Sequence, residues 1–290
     1  MSEPGIALVT PSFNQGAFLA AALDSVLEQK CDGLQYVVID GGSSDASVDL
    51  IRERAGRLHE WRSGPDDGQY DAINKGFALT DAPLMGWLNA DDMQLPWTLS
   101  LVTEIFSAFP AVRWLTTRFP LRWDKHGRAV SCTDVCGYSR KGILRGESTP
   151  GSTGFTTWPI QQESTFWRRD LWEEAGGALD TDFDLAADFD LWVRFAKLTE
   201  PFALGVPLAG FRRHGDQKTS RFSTQYSDEA LRSLRKHGGE IAKGIGRSFC
   251  RDRLPSVLRP LALKMGLLYE SKLISRSRDN ARWELVSVYV

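Results

Sequence analysis

Two consecutive carboxylates, Asp91 and Asp92, follow directly on the apolar run 84–88. Neighbouring carboxylates repel when both are ionised, and a divalent cation at the ligand-binding edge of a sheet relieves that repulsion. In a solvated turn the same dipeptide needs no ion. Asp40 closes a second apolar run, Tyr36-Val-Val-Ile39, where a carboxylate is poor strand chemistry and a ligand such as a nucleobase N–H would account for it. The residues after it, Gly41, Gly42, Ser44 and Asp45, read as turn formers and a helix N-cap.

The elements that carry these residues recur in a regular order. Residues 6–10 form an apolar run ended by Pro11, Ser12, Phe13 and Asn14, after which Leu19, Ala22, Leu23, Val26 and Leu27 repeat at helical spacing. A strand over 36–39 precedes a helix opened by Val48 and Ile51. A strand over 59–63, the turn-rich Gly64-Pro-Asp-Asp-Gly68 and a helix over 70–79 make a third unit, and a strand over 84–88 with a helix over 97–106 makes a fourth. Four such alternations predict an α/β domain with a mainly parallel sheet covered on both faces. Its polar residues gather at the carboxyl ends of the strands, where open α/β sheets hold their ligands. Residues 124–157, interrupted by Gly127, Gly137, Gly142, Gly146, Pro150, Gly151 and Gly154, predict a mobile insertion over the site. Beyond it the pattern predicts a strand over 164–168, helices over 170–175 and 188–198, and a helical tail after 209–215.

The net charge of −2 is unevenly spread. Residues 231–264 hold nine Lys and Arg against Glu240 and Asp252, a local +7, and residues 265–290 add +1, which leaves residues 1–230 at −10. An acidic body argues against nucleic acid as a partner. The basic segment, with the apolar residues of 254–268, fits a peripheral membrane contact through 231–268 or a homo-oligomer contact. Four cysteines without C-x-x-C spacing or a nearby His cluster point to reduced thiols rather than zinc or disulfides. With no run near the ~18 apolar residues of a spanning helix, the expected location is cytoplasmic, including the inner face of a membrane. Most of the ten tryptophans suit core packing, and the rest suit stacking against sugars. G-x-G-x-x-G after the first strand, the P-loop and the G-x-S-x-G elbow are all missing, so dinucleotide oxidoreductase, P-loop and α/β-hydrolase readings lose their support.

Seven segments in order resemble family 2 glycosyltransferases: Thr10-Pro-Ser-Phe-Asn14, Val38-Ile-Asp40-Gly-Gly-Ser-Ser-Asp45, Gly64-Pro-Asp-Asp-Gly-Gln-Tyr-Asp-Ala-Ile-Asn-Lys-Gly76, Trp87-Leu-Asn-Ala-Asp-Asp92, Gln161-Gln-Glu-Ser-Thr-Phe-Trp-Arg168, Ala187-Asp-Phe-Asp-Leu-Trp192 and Phe211-Arg-Arg-His214. The resemblance covers residues 5–220. It implies a GT-A nucleotide-diphospho-sugar transferase fold over 1–220, and the residue pattern beyond it predicts a helical, basic extension over 221–290. It also implies an inverting transfer from a nucleotide-diphosphate sugar to a saccharide or lipid-linked acceptor, in polysaccharide or glycolipid assembly.

By the same resemblance, Thr10 and Phe13 flank the nucleotide, Asp40 binds the base and Asp91 the ribose. Asp71, Asn74 and Lys75 are candidates for holding the nucleotide or diphosphate. Asp92 and His214 hold Mn2+ or Mg2+, and Asp188 is the catalytic base. Two positions depart from the family pattern, Asn89 in place of an Asp and Ala187 in place of a Glu before the base. Read without the resemblance, Asp188 is equally a helix N-cap and His214 a structural histidine. A catalytically silent nucleotide-sugar binder and a nucleotidyltransferase are the rival readings. The first would be free to lose Asp92, Asp188 and His214, and the second would carry a Gly-rich basic loop where Pro11-Ser-Phe-Asn-Gln-Gly16 stands.

Overall fold

The computed structural model describes residues 4–29, 31–149, 159–215, 217, 222–240, 255–277, 279 and 281–290. In chain order the elements are β1 (Ile6–Ser12), α1 (Leu19–Leu27), β2 (Gln35–Asp40), α2 (Ser47–Arg54), β3 (Glu60–Ser63), α3 (Gln69–Phe77), β4 (Leu84–Trp87), β5 (Met93–Gln94), α4 (Thr98–Ala108), β6 (Trp114–Thr117), β7 (Leu121–Trp123), β8 (Ala129–Cys132) and α5 (Arg140–Leu144). They continue with β9 (Phe166–Arg168), α6 (Arg169–Glu174), α7 (Ala187–Leu198), β10 (Phe202–Leu204), β11 (Ala209–Arg212), α8 (Ser223–Lys236), α9 (Arg259–Lys264), β12 (Glu270–Arg276) and β13 (Trp283–Tyr289).

The central sheet runs β13-β12-β10-β6-β9-β4-β1-β2-β3. Strands β4, β1, β2 and β3 are parallel neighbours, whereas β9 is antiparallel to both β4 and β6. Both faces are covered, so successive residues of β1 enter different cores. Ile6 and Leu8 pack with α1 and α4, and Ala7 and Val9 pack with α3 and α7. Trp87, Trp114, Trp167 and Trp192 fill the second core, with Trp87 and Trp192 stacked at 5.9 Å between centroids. Helix α3 lies so close to β1 that a Cβ on Gly76 would come within 2.5 Å of Val9 Cγ1. The glycine is there for this contact.

Register aligns Ser12, Asp40 and Ser63 at the carboxyl ends of β1, β2 and β3, and the loops leaving β1, β2 and β4 surround one cleft. A smaller sheet, β5-β11-β7-β8, forms another wall.

Two expectations change. Residues 221–290 are not a wholly helical extension: α8 and α9 form, but β12 and β13 make a hairpin that adds to the central sheet, β12 pairing in parallel with β10. Leu273 and Ile274 are buried there. The β-branched and aromatic residues of 283–289 carried that signal, and the helical pattern of 254–268 hid it. The described part of 124–157 is also built into the fold rather than a loose cover. Strand β8 pairs with β7, Asp124 accepts hydrogen bonds from the Arg128 and His126 N–H groups in the turn between them, and Val135, Tyr138 and Ile143 are core residues. The rest of that expectation, 150–157, lies outside the described residues, as does 241–254 of the basic segment.

Candidate active site

The cleft has a volume of about 740 Å³. Its walls include Phe13 after β1, Gly41 after β2, Asp91 after β4, His214 after β11 and Asp188 at the start of α7.

Asp91 and His214 meet there, with Oδ2 and Nε2 3.0 Å apart. The imidazole rests against the Phe18 ring at 4.5 Å between centroids. Its backbone N–H donates to Gln217 Oε1 at 3.3 Å, and the Gln217 amide donates to the Arg212 carbonyl. Asp92, the expected metal ligand, is sealed beneath. It is 0% exposed, Oδ1 accepts the Arg212 N–H at 2.8 Å, and Oδ2 accepts the Asn89 amide at 3.3 Å. Burial, with Glu163 and Asp91 as like charges nearby, pushes its carboxyl well above the usual range. Of the adjacent pair, then, Asp91 faces the cleft and Asp92 ties β11 to the loop after β4.

Asp188 lines the cleft on the second residue of α7. Its Oδ1 accepts the Phe189 N–H at 2.7 Å and its Oδ2 the Tyr226 hydroxyl at 3.1 Å. Burial raises its pKa to about 6, outweighing both hydrogen bonds.

The expected nucleotide contacts divide. Phe13 lines the cleft and is 58% exposed. Thr10, by contrast, is buried, its hydroxyl 2.9 Å from that of Tyr36. The Asp40 carboxylate is also buried, and it accepts from the N–H groups of Gly42 and Ser43 and from the hydroxyls of Ser43 and Ser63. It builds the turn after β2 instead of facing the cleft. On α3, Asp71 pairs with Lys75 at 2.6 Å, and Asn74 clamps the backbone of Leu179 with bonds of 3.0 and 2.8 Å. None of these three lines the cleft.

Asp66, Arg122, Glu163 and Tyr226 are among the wall residues that the sequence reading does not assign. Glu163 is 3% exposed, its Oε1 has no hydrogen-bond partner among the described residues, and burial pushes its pKa up to about 8. Its place in the Gln161–Arg168 motif was a usable signal. Tyr226 lies beyond the seven motifs and had none. The pattern departures are local: Asn89 accepts the Gln69 amide at 2.8 Å, and Ala187 is fully buried.

Residues 7–141 match the model of glycosyl transferase family 2. An uncharacterized glycosyltransferase of Mycobacterium tuberculosis is 29% identical over 220 residues, 74% of this chain and 77% of the relative. A PGL/p-HBAD biosynthesis glycosyltransferase of the same species is 36% identical over 95 residues, 32% of this chain and 37% of the relative. Among solved structures, S. aureus TarS 1–349 in complex with UDP-GlcNAc matches with a TM-score of 0.62 at 12% identity, over 90% of this chain and 75% of that one. Glucosyl-3-phosphoglycerate synthase from Mycobacterium tuberculosis, in complex with Mn2+, UDP and glucosyl-3-phosphoglycerate, matches with a TM-score of 0.50 at 16% identity, over 84% and 83% of the two chains. Residues 7–141 thus form a glycosyl transferase family 2 domain, and the chain has the GT-A fold.

Proposed function

We propose that this chain moves a sugar from a nucleoside-diphosphate sugar to an acceptor hydroxyl with inversion, and that it serves polysaccharide or glycolipid assembly. The observation that carries the reading is one cleft, at the carboxyl ends of β1, β2 and β4, holding both the Asp91–His214 pair and the partly buried carboxyl of Asp188. An acceptor hydroxyl is far too weak an acid to ionise at neutral pH, so a carboxylate must take its proton as the new C–O bond forms. Asp188 is the cleft carboxylate suited to this, with a pKa brought near the working pH. A single displacement with one base inverts the anomeric centre.

The Asp91–His214 pair fits Mn2+ or Mg2+. The Asp91 oxygen and the His214 nitrogen stand 3.0 Å apart, close enough that both would hold one ion. Among the described residues no third His, Cys, Asp or Glu joins them, so these two side chains would be the protein's ligands. Such an ion would supply Lewis-acid stabilisation of the leaving diphosphate. Phe13 offers an exposed ring to the nucleobase. A second depression of about 280 Å³, bordered by Phe222 and Gln225 and sharing Gln69, Tyr70 and Asp184 with the cleft, is room for the acceptor. Incubation with UDP-, GDP- and dTDP-sugars, Mn2+ and a panel of glycoside and lipid-linked acceptors tests the reading. Release of nucleoside diphosphate and an inverted product are expected. Absence of release with every donor would refute it.

A peripheral membrane contact is supported by the surface around α9. Val257, Leu261 and Met265 are exposed there, within the basic 231–268 segment. Among the described residues, no helix is long and apolar enough to cross a membrane.

A further inference from the structure

Helix α8 begins after the last family motif, yet it touches the residues around Asp188 along one face. Tyr226, Glu229, Ser233 and His237 follow at intervals of three, four and four, the spacing of one side of a helix. All four reach residues 185–190. The Tyr226 hydroxyl donates to Asp188 Oδ2 at 3.1 Å. Glu229 Oε2 accepts the N–H groups of Leu185 and Ala186 at 2.9 and 3.1 Å, while its Oε1 accepts the Gln225 amide at 2.9 Å. Ser233 Oγ and His237 Nε2 lie 2.8 and 2.9 Å from Asp190 Oδ1, and Arg194 holds Oδ2 of the same carboxylate at 2.9 Å.

These contacts are costly to bury without a purpose. A helix that needs only to pack would turn apolar residues inward, and α8 has Ala230 and Leu234 for that. The polar stripe instead meets the first turn of α7, where backbone N–H groups lack partners within the helix. Glu229 satisfies the two just ahead of α7. The family pattern expects a Glu at position 187, where this chain has Ala, and here a carboxylate reaches the same turn from another helix.

We propose that α8 is the positioning element of the base, with Tyr226 holding the Asp188 carboxylate by its hydroxyl and Glu229 fixing the turn that carries it. The proposal rests on the reading of Asp188 as the base. Tyr226 and Glu229 are positioning residues that act through Asp188. Their electrostatic effects oppose one another. A hydroxyl donated to Oδ2 favours the ionised form, whereas the nearby Glu229 charge disfavours it. The other titratable groups facing Asp188 are Tyr70 from α3 and Glu163 from the turn before β9.

A carboxyl-carbon NMR titration of the full chain, labelled at aspartate, tests this, with Asp188 assigned by the resonance missing in Asp188→Asn. Tyr226→Phe should raise the Asp188 midpoint by about one pH unit, and Glu229→Gln, which keeps an acceptor for the two N–H groups, should lower it. Helix α8 acting as packing alone would leave both midpoints in place, and a loosened helix would move both the same way. Any pattern other than opposite shifts overturns the proposal. The outcome separates from the base assignment. Turnover retained by Asp188→Asn removes the base role and leaves the titration standing, while unmoved midpoints remove the positioning role and leave the base.

Discussion

Replacing Asp188 with Asn tests the proposed base through two readouts of different sign. Burial lifts the carboxyl from 3.8 to about 6, a difference of two units, or ~3 kcal/mol between its charged and neutral forms. At pH 7 such a group is roughly nine-tenths ionised, and at pH 5 roughly one-tenth. Turnover in the wild type should therefore fall about tenfold from pH 7 to pH 5, with a midpoint near 6. Asp188→Asn should lose ~10²–10⁴-fold at pH 7, the contribution of a general base, and its residual rate should be flat over this range. Stability should move the other way. Because the folded pKa lies above the unfolded one, the contribution of Asp188 to stability is complete below about pH 4 and is lost as pH rises through about 6. Asn carries no such charge, so the melting temperature of the variant relative to wild type should rise between pH 4 and pH 8, by an amount equivalent to at most ~3 kcal/mol. Initial rates of nucleoside diphosphate release and thermal melts across pH read both effects. A flat wild-type rate profile, or a variant within tenfold of wild-type turnover, would refute the reasoning.

Calorimetric titration with UDP and GDP should show affinity that depends on Mn2+ and is lost in Asp91→Asn and His214→Ala. Affinity that survives chelation would shift the diphosphate to Arg122, Arg212 and Arg213. In Asp92→Asn the main change should be a lower melting temperature, because that side chain joins the Arg212 backbone to the loop after β4. Gly76→Ala should destabilise by ~1–3 kcal/mol through overpacking against Val9, read by urea unfolding, and an unchanged midpoint would contradict the close approach of α3 and β1. Anionic vesicles should retain the protein in co-sedimentation, with release by salt and by Leu261→Glu, whereas equal recovery with neutral vesicles would remove the membrane role.

Much of the domain was readable because its strands are buried on both faces and its helices are amphipathic, so 6–10, 36–39 and 84–88 stand out as apolar runs. Motif order also pointed to Phe13, Asp91, Asp188 and His214, which line the cleft, and equally to Thr10, Asp40, Asp71, Asn74, Lys75 and Asp92, which do not. What the motifs could not convey is which way a side chain turns. Asp91 and Asp92 are adjacent and alike, and only the tertiary contact with β11 decides that Asp92 is sealed and Asp91 presented. Asp40 ends a strand as expected, but its oxygens are claimed by Ser43, Ser63 and two backbone N–H groups, a set assembled from two loops distant in sequence. Tyr226 was hidden for a related reason, since its role comes from packing across 38 residues of chain. Strand β12 was missed because its partner β10 lies far upstream, and β13 because it joins the sheet only through β12.

Strand β10 sits between β6 and β12, and its outer hydrogen-bonding edge is covered by residues synthesised about seventy positions later. Until β12 arrives, the nascent chain presents Phe202, Ala203 and Leu204 as an open strand edge, the kind of template on which other chains pair. Long-range parallel pairing of this sort is also slow to form. A chain ended at residue 220, at the last family motif, would keep that edge permanently open and would lack α8 as well. Such a fragment should aggregate during expression even though it contains every residue the family resemblance names.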